Sequence, residues 1–548
     1  MKTQIIKVLV TLVVLGLFPS AQADTPEAIV KMPPFVVSEG RWHAATINIP
    51  GLKPWRVLSS SDEGETKDFI NRRIRTRLLP RCLVSDSFMA DTPTTFVLVD
   101  KRMARDMSAI ISDKMLKTVR KFKFDNGKPG ALEIMPQTNL LNEECDVSCF
   151  IVGDEDDRSH IDDYVAALLD KRRPALPAWF VEGIRRICYA ADWSDASRVS
   201  VNPHQYDAPL LTLPELFGGP SALTPRDGLT KARMLNVYHQ EADIFVRWVF
   251  DTGRKQALWT FADRSSREAV TERLFTECFG MDYAQAHKAI QSFNMTDGST
   301  DTIILTKDVK VDIPEWSLHD ATPLEVAIGL GNMALMESEY VHERKRPQDD
   351  VYLEQAGVVL LKAYNRTDYP RQGNDFASLQ GLIGMYYSYM HQDEDAKQFL
   401  EAAMKAKTGR PGVYADLGWA RFNEARSETE DAHGLLSADQ IADILEPLKV
   451  GPVECFKLDR VYELVAQVLN KSAVPPTPED LKLLDTALSF YPKNPALIFD
   501  TALFYGGAGM IPRAQELVLQ GLAISSIPAH RNRFMQLQAR LSKVASSH

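Results

Sequence analysis

Two stretches in the second half of the chain place small and aromatic residues at the same intervals, and this repetition limits the possible folds more than any other feature. The first is LIGMYYSYMHQDEDAKQFLEAAMKAK and the second is TALFYGGAGMIPRAQELVLQGLA. The matching positions are Ile383, Gly384, Tyr387, Ala396, Leu400 and Ala403 in the first, and Thr501, Ala502, Tyr505, Ala514, Val518 and Gly521 in the second. Small residues at these intervals let two antiparallel helices approach closely, while the aromatic residue fills the gap between them. The pattern predicts helical hairpins.

From Thr322 to the end, the sequence shows only helical patterns, and residues 350–540 resemble tetratricopeptide repeats. The leading Trp of that repeat is missing, and YADLGWARFNEA fits only its first helix. The insertion SETEDAHGLLSADQ and the VPPTP hinge at 474–478 break the period. The resemblance implies an all-α repeat domain over 320–548 with a concave surface for a peptide or protein partner. A plain helical bundle is the alternative.

The part of the chain before this region mixes strand and helix patterns. WRVLSS and TTFVLVD read as strands, and ALEIMP and CFIVGD as short β-rich runs. GETKDFINRRIRTRLLPRCL predicts an amphipathic helix that ends near Pro80, and RMARDMSAIISDKM predicts a second helix. No strong strand signal follows Gly153, and the polar stretch Met295–Asp301 marks a boundary at about residues 300–320. We therefore predict an α+β N-terminal domain, a small sheet plus helices, at 55–300.

The first 23 residues have the pattern of a secretory signal peptide. Lys2 and Lys7 precede an apolar run from Val8 to Phe18, and Ala-Gln-Ala stands before Asp24. An uncleaved membrane anchor is the alternative, but the apolar run is short for a span. Residues 24–54 then form an approach segment. We expect an exported protein, periplasmic or secreted, without a membrane span after cleavage.

Composition and charge narrow the class of partner. The chain of 548 residues is 45% apolar and 25% charged, with a formal net charge of −10, and it has no long basic run. We therefore expect no nucleic-acid partner. Among the six cysteines only Cys145 and Cys149 lie close in sequence, where a disulfide, a metal site and simple burial all remain possible.

The stretch ALPAWFVEG, at 175–183, reads as the start of a helix that buries Trp179 and Phe180 and carries Glu182. We predict helices at Ser159–Asp170 and Pro177–Ala190, and a helical pair around Gly280. VYHQEADIFVRWVFDTG predicts a further helix, stopped at Gly253. Its apolar face is Tyr238, Ala242, Phe245, Val246 and Val249.

In order and spacing, residues 55–293 resemble a secreted gluzincin, or peptidase MA-like, domain. The resemblance rests on WRVLSS, LPAWFVEG, LTLPELF (211–217), VYHQEADIFVRWVF, LWTFAD and ECFGMDY. In that family a helix with His-Glu-x-x-His supplies two zinc ligands and a general base, and a second helix supplies a glutamate as third ligand. Glu182 corresponds to this third ligand.

The other positions of the zinc motif have changed. Where the family resemblance implies His-Glu-Tyr-Val-His, this chain has Asp162-Asp163-Tyr164-Val165-Ala166. Asp162 replaces the first histidine, Asp163 the catalytic glutamate and Ala166 the second histidine. Only Glu182 keeps its identity, so we expect no catalytic residues, no zinc or other cofactor, and a pseudo-metallopeptidase that acts by binding a peptide or protein.

The alternative is an active metallopeptidase or other hydrolase that holds zinc in a remodelled site. His160, Asp163 and Glu182 are its candidate ligands, and His239 and Asp243 share one face of a later helix. The chain contains no His-Glu-x-x-His, no Gly-x-Ser-x-Gly and no phosphate-binding Gly-rich loop with Gly-Lys-Ser/Thr.

Overall fold

The computed structural model describes most of the chain. The described residues are 29–32, 40–89, 92–100, 131–134, 137–152, 161–195, 198–201, 211–220, 223, 230–295, 302–303, 313–341, 351–429, 434–525 and 528–545. The predicted signal peptide, the predicted helix RMARDMSAIISDKM and His160 lie outside them. Of Asp162 and Asp163 only the backbone is described.

The fold is mostly helical, with nineteen α-helices in the described residues. The strands are β1 (Ile29–Met32), β2 (His43–Ile47), β3 (Trp55–Ser59), β4 (Thr94–Asp100), β5 (Ala131–Ile134), β6 (Gln137–Leu141), β7 (Asp146–Val152), β8 (Ala191–Asp195), β9 (Arg198–Val201), β10 (Thr302–Ile303) and β11 (His319–Asp320). The first helices are α1 (Glu63–Leu83), α2 (Ile161–Asp170), α3 (Ala178–Ala190), α4 (Leu213–Phe217), α5 (Lys231–Asp251), α6 (Lys255–Ser265), α7 (Glu272–Phe279) and α8 (Tyr283–Met295). The later ones are α9 (Pro323–Val341), α10 (Val351–Tyr364), α11 (Asn374–Tyr389), α12 (Asp393–Lys405), α13 (Pro411–Thr429), α14 (Ala438–Val450), α15 (Asp459–Asn470), α16 (Pro478–Phe490), α17 (Pro495–Gly507), α18 (Ile511–Ile524) and α19 (Pro528–Ala545).

The chain forms two compact units that interleave along the sequence. The first consists of Met1–Thr66, Thr92–Glu155 and Glu315–His548, and the second of Lys67–Asp91 and Asp156–Pro314. The boundaries expected from the sequence instead divide the chain once, near residues 300–320. The coarse layout, an α+β part followed by helices, is confirmed.

The first unit contains a mixed six-stranded sheet in the order β11-β2-β3-β4-β7-β6. Its central strands β3, β4 and β7 run parallel, and β2, β6 and β11 pair antiparallel at the sides. β4 and β7 are almost continuously buried, which suits the centre of a sheet covered on both faces. The strands predicted from WRVLSS, TTFVLVD and CFIVGD are thus confirmed.

Helix α9 covers one face of this sheet. A Cβ on Gly329 would lie 2.9 Å from Cδ2 of Leu58, so the missing side chain permits the close approach. Val97 and Cys149 of the sheet share one apolar cluster with Leu330 and Met333 of the helix. This common core explains why the sheet and the C-terminal helices belong to one unit, although they are far apart in sequence.

The helices after α9 stack as hairpins, with each of α9, α11, α13, α15 and α17 packed on the next but one along the chain. The small residues at matching positions lie where helices meet. A Cβ on Gly384 would lie 2.6 Å from Cγ of Leu400, and one on Gly521 would lie 2.2 Å from the ring of Phe534. The expectation of helices alone after Thr322 holds for the described residues.

The second unit holds α2 to α8 and a small antiparallel sheet in the order β10-β9-β8. Its core is rich in aromatic rings that meet edge to face, such as Trp179 with Phe245 at 5.4 Å between centroids. The predicted apolar face of α5 is fully buried, and the chain reverses at Gly253 with φ of 69°.

Two predictions of secondary structure were wrong. β8 to β11 all follow Gly153, where no strand was expected. These strands are two to five residues long, too short for an alternating pattern, so tertiary pairing and not local sequence forms them. Helix α1, which was expected to end near Pro80, continues to Leu83.

Candidate functional site

The stretch LPAWFVEG begins helix α3 and directs its two aromatic side chains into the core of the second unit. The amides of Phe180 and Val181 donate to the carbonyl oxygen of Pro177, at 3.0 and 3.2 Å. Trp179 and Phe180 are completely buried. The expectation that these two residues are buried is confirmed, and the helical period then places Glu182 on another face of α3.

Gly183 brings α3 into close contact with α5. A Cβ at this position would lie 2.5 Å from Cγ2 of Val246 and 2.6 Å from the carbonyl oxygen of Ala242. Because the second obstacle is backbone, a side-chain rotation could not remove it. The glycine after the glutamate thus has a packing role, and it brings Glu182 within reach of side chains from α5.

The carboxylate of Glu182 is surrounded by three basic side chains. Arg185 donates to both oxygens, with Nη2 2.7 Å from Oε1 and Nε 3.0 Å from Oε2. Nε of Arg186 lies 3.0 Å from Oε1, and Nδ1 of His239 lies 2.8 Å from the same oxygen. Glu182 is largely buried, with 12% of its side chain exposed, whereas the three basic groups are 24–34% exposed.

These contacts keep Glu182 ionised. Burial by itself raises its pKa, but the close contact with the His239 imidazole and the hydrogen bonds from Arg185 outweigh that effect and lower the pKa to about 2. Burial, followed by the negative charge of Glu182, raises the pKa of the neighbouring Tyr238. The site therefore holds one buried negative charge that is already neutralised by the protein.

Helix α2, which carries Asp162, Asp163 and Ala166, packs beside α3. Val165 is buried, and Ala166, which the predicted resemblance aligns with the second histidine, is half-buried against the apolar core. The ring of Tyr164 lies beneath the guanidinium of Arg77, with 4.1 Å from Cζ to the ring centroid. Ala166 thus serves packing, and its side chain offers no ligand atom.

His239 and Asp243 lie four residues apart on α5, as the sequence predicts, but they have different partners. His239 meets Glu182, while Asp243 accepts a hydrogen bond from Nε of Arg247 at 2.8 Å. Sequence reasoning missed Arg185 and Arg186 as partners of Glu182. Their positions three and four residues after the glutamate are the spacing at which helical side chains meet, so a signal was present.

Among the side chains that the structure describes, no three His, Cys, Asp or Glu residues converge as a metal site. Cys145 and Cys149, for which a disulfide was one possibility, are both buried, and no disulfide joins them. Within the same described residues, no helix combines the length and the apolar character required to cross a bilayer.

Comparison with known proteins adds no relative. No protein-family model matches this chain, and no curated protein or solved structure matches it either.

Proposed function

We propose that this chain is an exported, catalytically inactive peptidase-like protein that binds a peptide or another protein through its former cleft and its helical repeats. The observation that carries the proposal is the state of Glu182, the position that corresponds to the third zinc ligand. Both of its oxygens already accept hydrogen bonds from cationic groups of the chain itself.

A divalent cation at Glu182 would meet unfavourable electrostatics. A ligand carboxylate must offer a lone pair to the metal, and its surroundings should be neutral or negative. Here two guanidinium groups and an imidazole contact the carboxylate within 3.0 Å, so a metal would have to displace them against charge repulsion. Ala166 in the place of a ligand histidine supports the same conclusion.

The proposed binding role rests on the stacked hairpins of the first unit. Helices α9, α11, α13, α15 and α17 form a continuous layer, and each packs on the next but one. Such arrays present an extended surface suited to a polypeptide. The tetratricopeptide resemblance supports this proposal through the matched small residues, Gly384 and Gly521 among them, that meet neighbouring helices.

Metal analysis of the purified mature protein tests the loss of catalysis. We expect well under one equivalent of zinc by mass spectrometry, and no change in melting temperature when a chelator is added. Stoichiometric zinc whose removal lowers the melting temperature would overturn the proposal. It would favour the alternative, a working metallopeptidase that uses His160, Asp163 and Glu182.

The binding role needs a separate measurement. Reduced, carboxymethylated lactalbumin is a suitable unfolded polypeptide. When the protein is added to its fluorescently labelled form, the fluorescence anisotropy should rise to a plateau, and the polypeptide should remain uncut. Cleavage would contradict the assigned inactivity, and the absence of saturable binding would contradict the binding role. Export is tested by N-terminal sequencing of protein from the periplasm or medium, which should begin at Asp24.

A further inference from the structure

The turn between β6 and β7 sends an acidic side chain into the helical part of the first unit. The side-chain oxygen of Asn142 accepts hydrogen bonds from the amides of Glu144 and Cys145, at 2.9 and 3.0 Å. This local arrangement fixes the turn. The side chain of Glu144 is only 4% exposed.

Two arginines from the helical part hold the Glu144 carboxylate, one at each oxygen. Nε of Arg410 donates to Oε2 at 3.0 Å, and Nη2 of Arg460 donates to Oε1 at 2.7 Å. Arg410 directly precedes α13 and Arg460 lies in α15, so the contact joins the sheet to two separate helical hairpins. Buried charge-assisted hydrogen bonds of this kind are strong.

The two arginines are themselves fixed by neighbours. Nη1 of Arg410 donates to Oδ1 of Asn332 at 2.8 Å, and Nη1 of Arg460 donates to Oδ1 of Asp416 at 2.7 Å. With Glu144 in place, the two guanidinium groups face the carboxylates of Glu144 and Asp416, and Glu339 adds negative charge near Arg460. Without Glu144, Arg410 would lose its carboxylate partner in a largely buried position.

The space that receives the carboxylate depends on a glycine. A Cβ on Gly412 would lie 1.8 Å from Oε1 of Glu144 and 2.1 Å from Nη2 of Arg460. Any other residue would therefore fill the position where the carboxylate meets the guanidinium. The helical part thus supplies two oriented guanidinium groups and the space for a carboxylate, which Glu144 fills.

We propose that Arg410, Arg460 and Asn332, with the space left by Gly412, form a carboxylate-binding site of the helical repeats, and that Glu144 is its built-in ligand. The site takes a carboxylate in preference to a neutral group, since each oxygen meets its own guanidinium. While Glu144 occupies it, the β6–β7 turn caps this part of the repeat array. A partner of the protein would then bind elsewhere on the array.

Chemical rescue of Glu144→Ala in the full chain tests this site. The variant leaves a vacant volume of carboxylate size, so we expect its melting temperature to fall by roughly 5–15 °C. Sodium formate should restore a large part of this loss in a saturable manner, and sodium chloride at equal ionic strength should not. Wild-type protein should show no saturable response to formate.

Two controls keep the result interpretable. Glu394→Ala removes an exposed acidic residue of α12 and should leave the melting temperature nearly unchanged, with no formate response. Formamide, which has the size of formate but no charge, should not rescue Glu144→Ala. If Glu144→Ala is unfolded without additives, refolding on addition of formate is the expected result.

Several outcomes would overturn the proposal. The first is that formamide rescues Glu144→Ala as effectively as formate does. The second is that formate stabilises wild type as much as it stabilises the variant. The third is that formate neither stabilises nor refolds Glu144→Ala. Wild-type stability in Glu144→Gln would also contradict it, because the amide presents hydrogen-bond donors to the guanidinium groups. None of these outcomes depends on whether the protein binds zinc or a polypeptide.

Discussion

Oε1 of Glu182 and Nδ1 of His239 lie 2.8 Å apart and join helix α3 to helix α5. The same two helices come into contact at Gly183 and Ala242. A Cβ on Gly183 would not fit there, because it would lie 2.6 Å from the carbonyl oxygen of Ala242. The residue that the family resemblance assigns to zinc therefore links two helices through an imidazole. Arg185 and Arg186 complete its environment from its own helix.

Replacement of Glu182 by Gln should destabilise the protein in a pH-dependent way. The folded pKa of about 2 lies below the ordinary value of 4.5, so ionised Glu182 contributes stability above pH 4.5. That contribution is lost as the pH falls from 4.5 through 2. We expect Glu182→Gln to lower the free energy of unfolding by roughly 1–3 kcal/mol at neutral pH, allowing for partial solvent screening of the arginines.

Denaturant unfolding of wild type and Glu182→Gln across this range is the measurement. The difference between the two proteins should shrink as the pH falls towards 2, since a growing fraction of Glu182 is then protonated and neutral like the glutamine. Glu516→Gln provides a control, because Glu516 pairs with Arg513 on an exposed helical surface. A pH-independent difference would show that the charge of Glu182 is not what stabilises the fold.

The triple variant that introduces the zinc motif should bind zinc weakly, and release of Glu182 from its arginines should strengthen that binding. The triple variant Asp162→His, Asp163→Glu and Ala166→His would place two imidazoles four residues apart on α2, beside α3. Arg185 and Arg186 would still hold the third ligand, so we expect weak binding. Adding Arg185→Gln and Arg186→Gln should tighten zinc binding about tenfold, comparable to the effect of other residues that orient metal ligands.

Competition with a zinc-binding dye measures both affinities. The control is the five-residue variant with Glu182→Ala, which should lose most of the gain. Zinc affinity that does not depend on Glu182, or that is equal in the triple variant and wild type, would remove the support for the gluzincin resemblance.

Gly183→Ala should be destabilising, although alanine is the better helix former. The added methyl would lie 2.6 Å from the Ala242 carbonyl oxygen, which cannot turn away as a side chain could. We expect a loss of about 1–3 kcal/mol from overpacking, larger than the gain of about 1 kcal/mol in helix propensity. Gly507→Ala is a matched helical control, because nothing lies within 4 Å of a Cβ there. Equal melting temperatures for the two variants would contradict the close packing of α3 and α5.

A buried acidic pair should make stability fall as the pH rises. Asp459 and Glu463 lie one turn apart on α15, and Nδ2 of Asn494 donates to both, at 3.2 and 2.8 Å. Burial and then the charge of Asp459 raise the pKa of Glu463 to about 8, and Asp500 adds to the shift. The folded state therefore keeps a proton that the unfolded chain releases above pH 4.5, so stability is lost between pH 4.5 and 8.

Glu463→Gln should remove most of this loss, because the amide is neutral at every pH. We expect the variant to match wild type near pH 5 and to be the more stable protein near pH 8. Thermal unfolding across this range, with Glu516→Gln as an exposed control, checks the result. A variant whose stability falls with pH as steeply as wild type would show that Glu463 is not the titrating group.

The sequence predicted those elements whose pattern of apolar residues lies within one short stretch of the chain. The strands TTFVLVD and CFIVGD follow from continuous apolar runs, and the buried face of α5 follows from a helical period. The short strands β8 to β11 carry no such signal, because two to five residues cannot show a period. At the candidate site the sequence drew attention to Glu182, and the loss of a ligand histidine at Ala166 stays a prediction. It did not identify His239 as the partner of Glu182, since that contact joins two helices.

By itself, the sequence determined the class of the long elements that the structure describes and the small residues at helix contacts, because these depend on periodicity and residue type along the chain. Only the tertiary structure decided that α9 covers the sheet and thereby places the sheet in one unit with the C-terminal helices. Only it brought Glu144 to Arg410 and Arg460, and His239 to Glu182. The physical reason is that both charge clusters join distant segments, whose meeting depends on the packing of entire helices and not on any local preference.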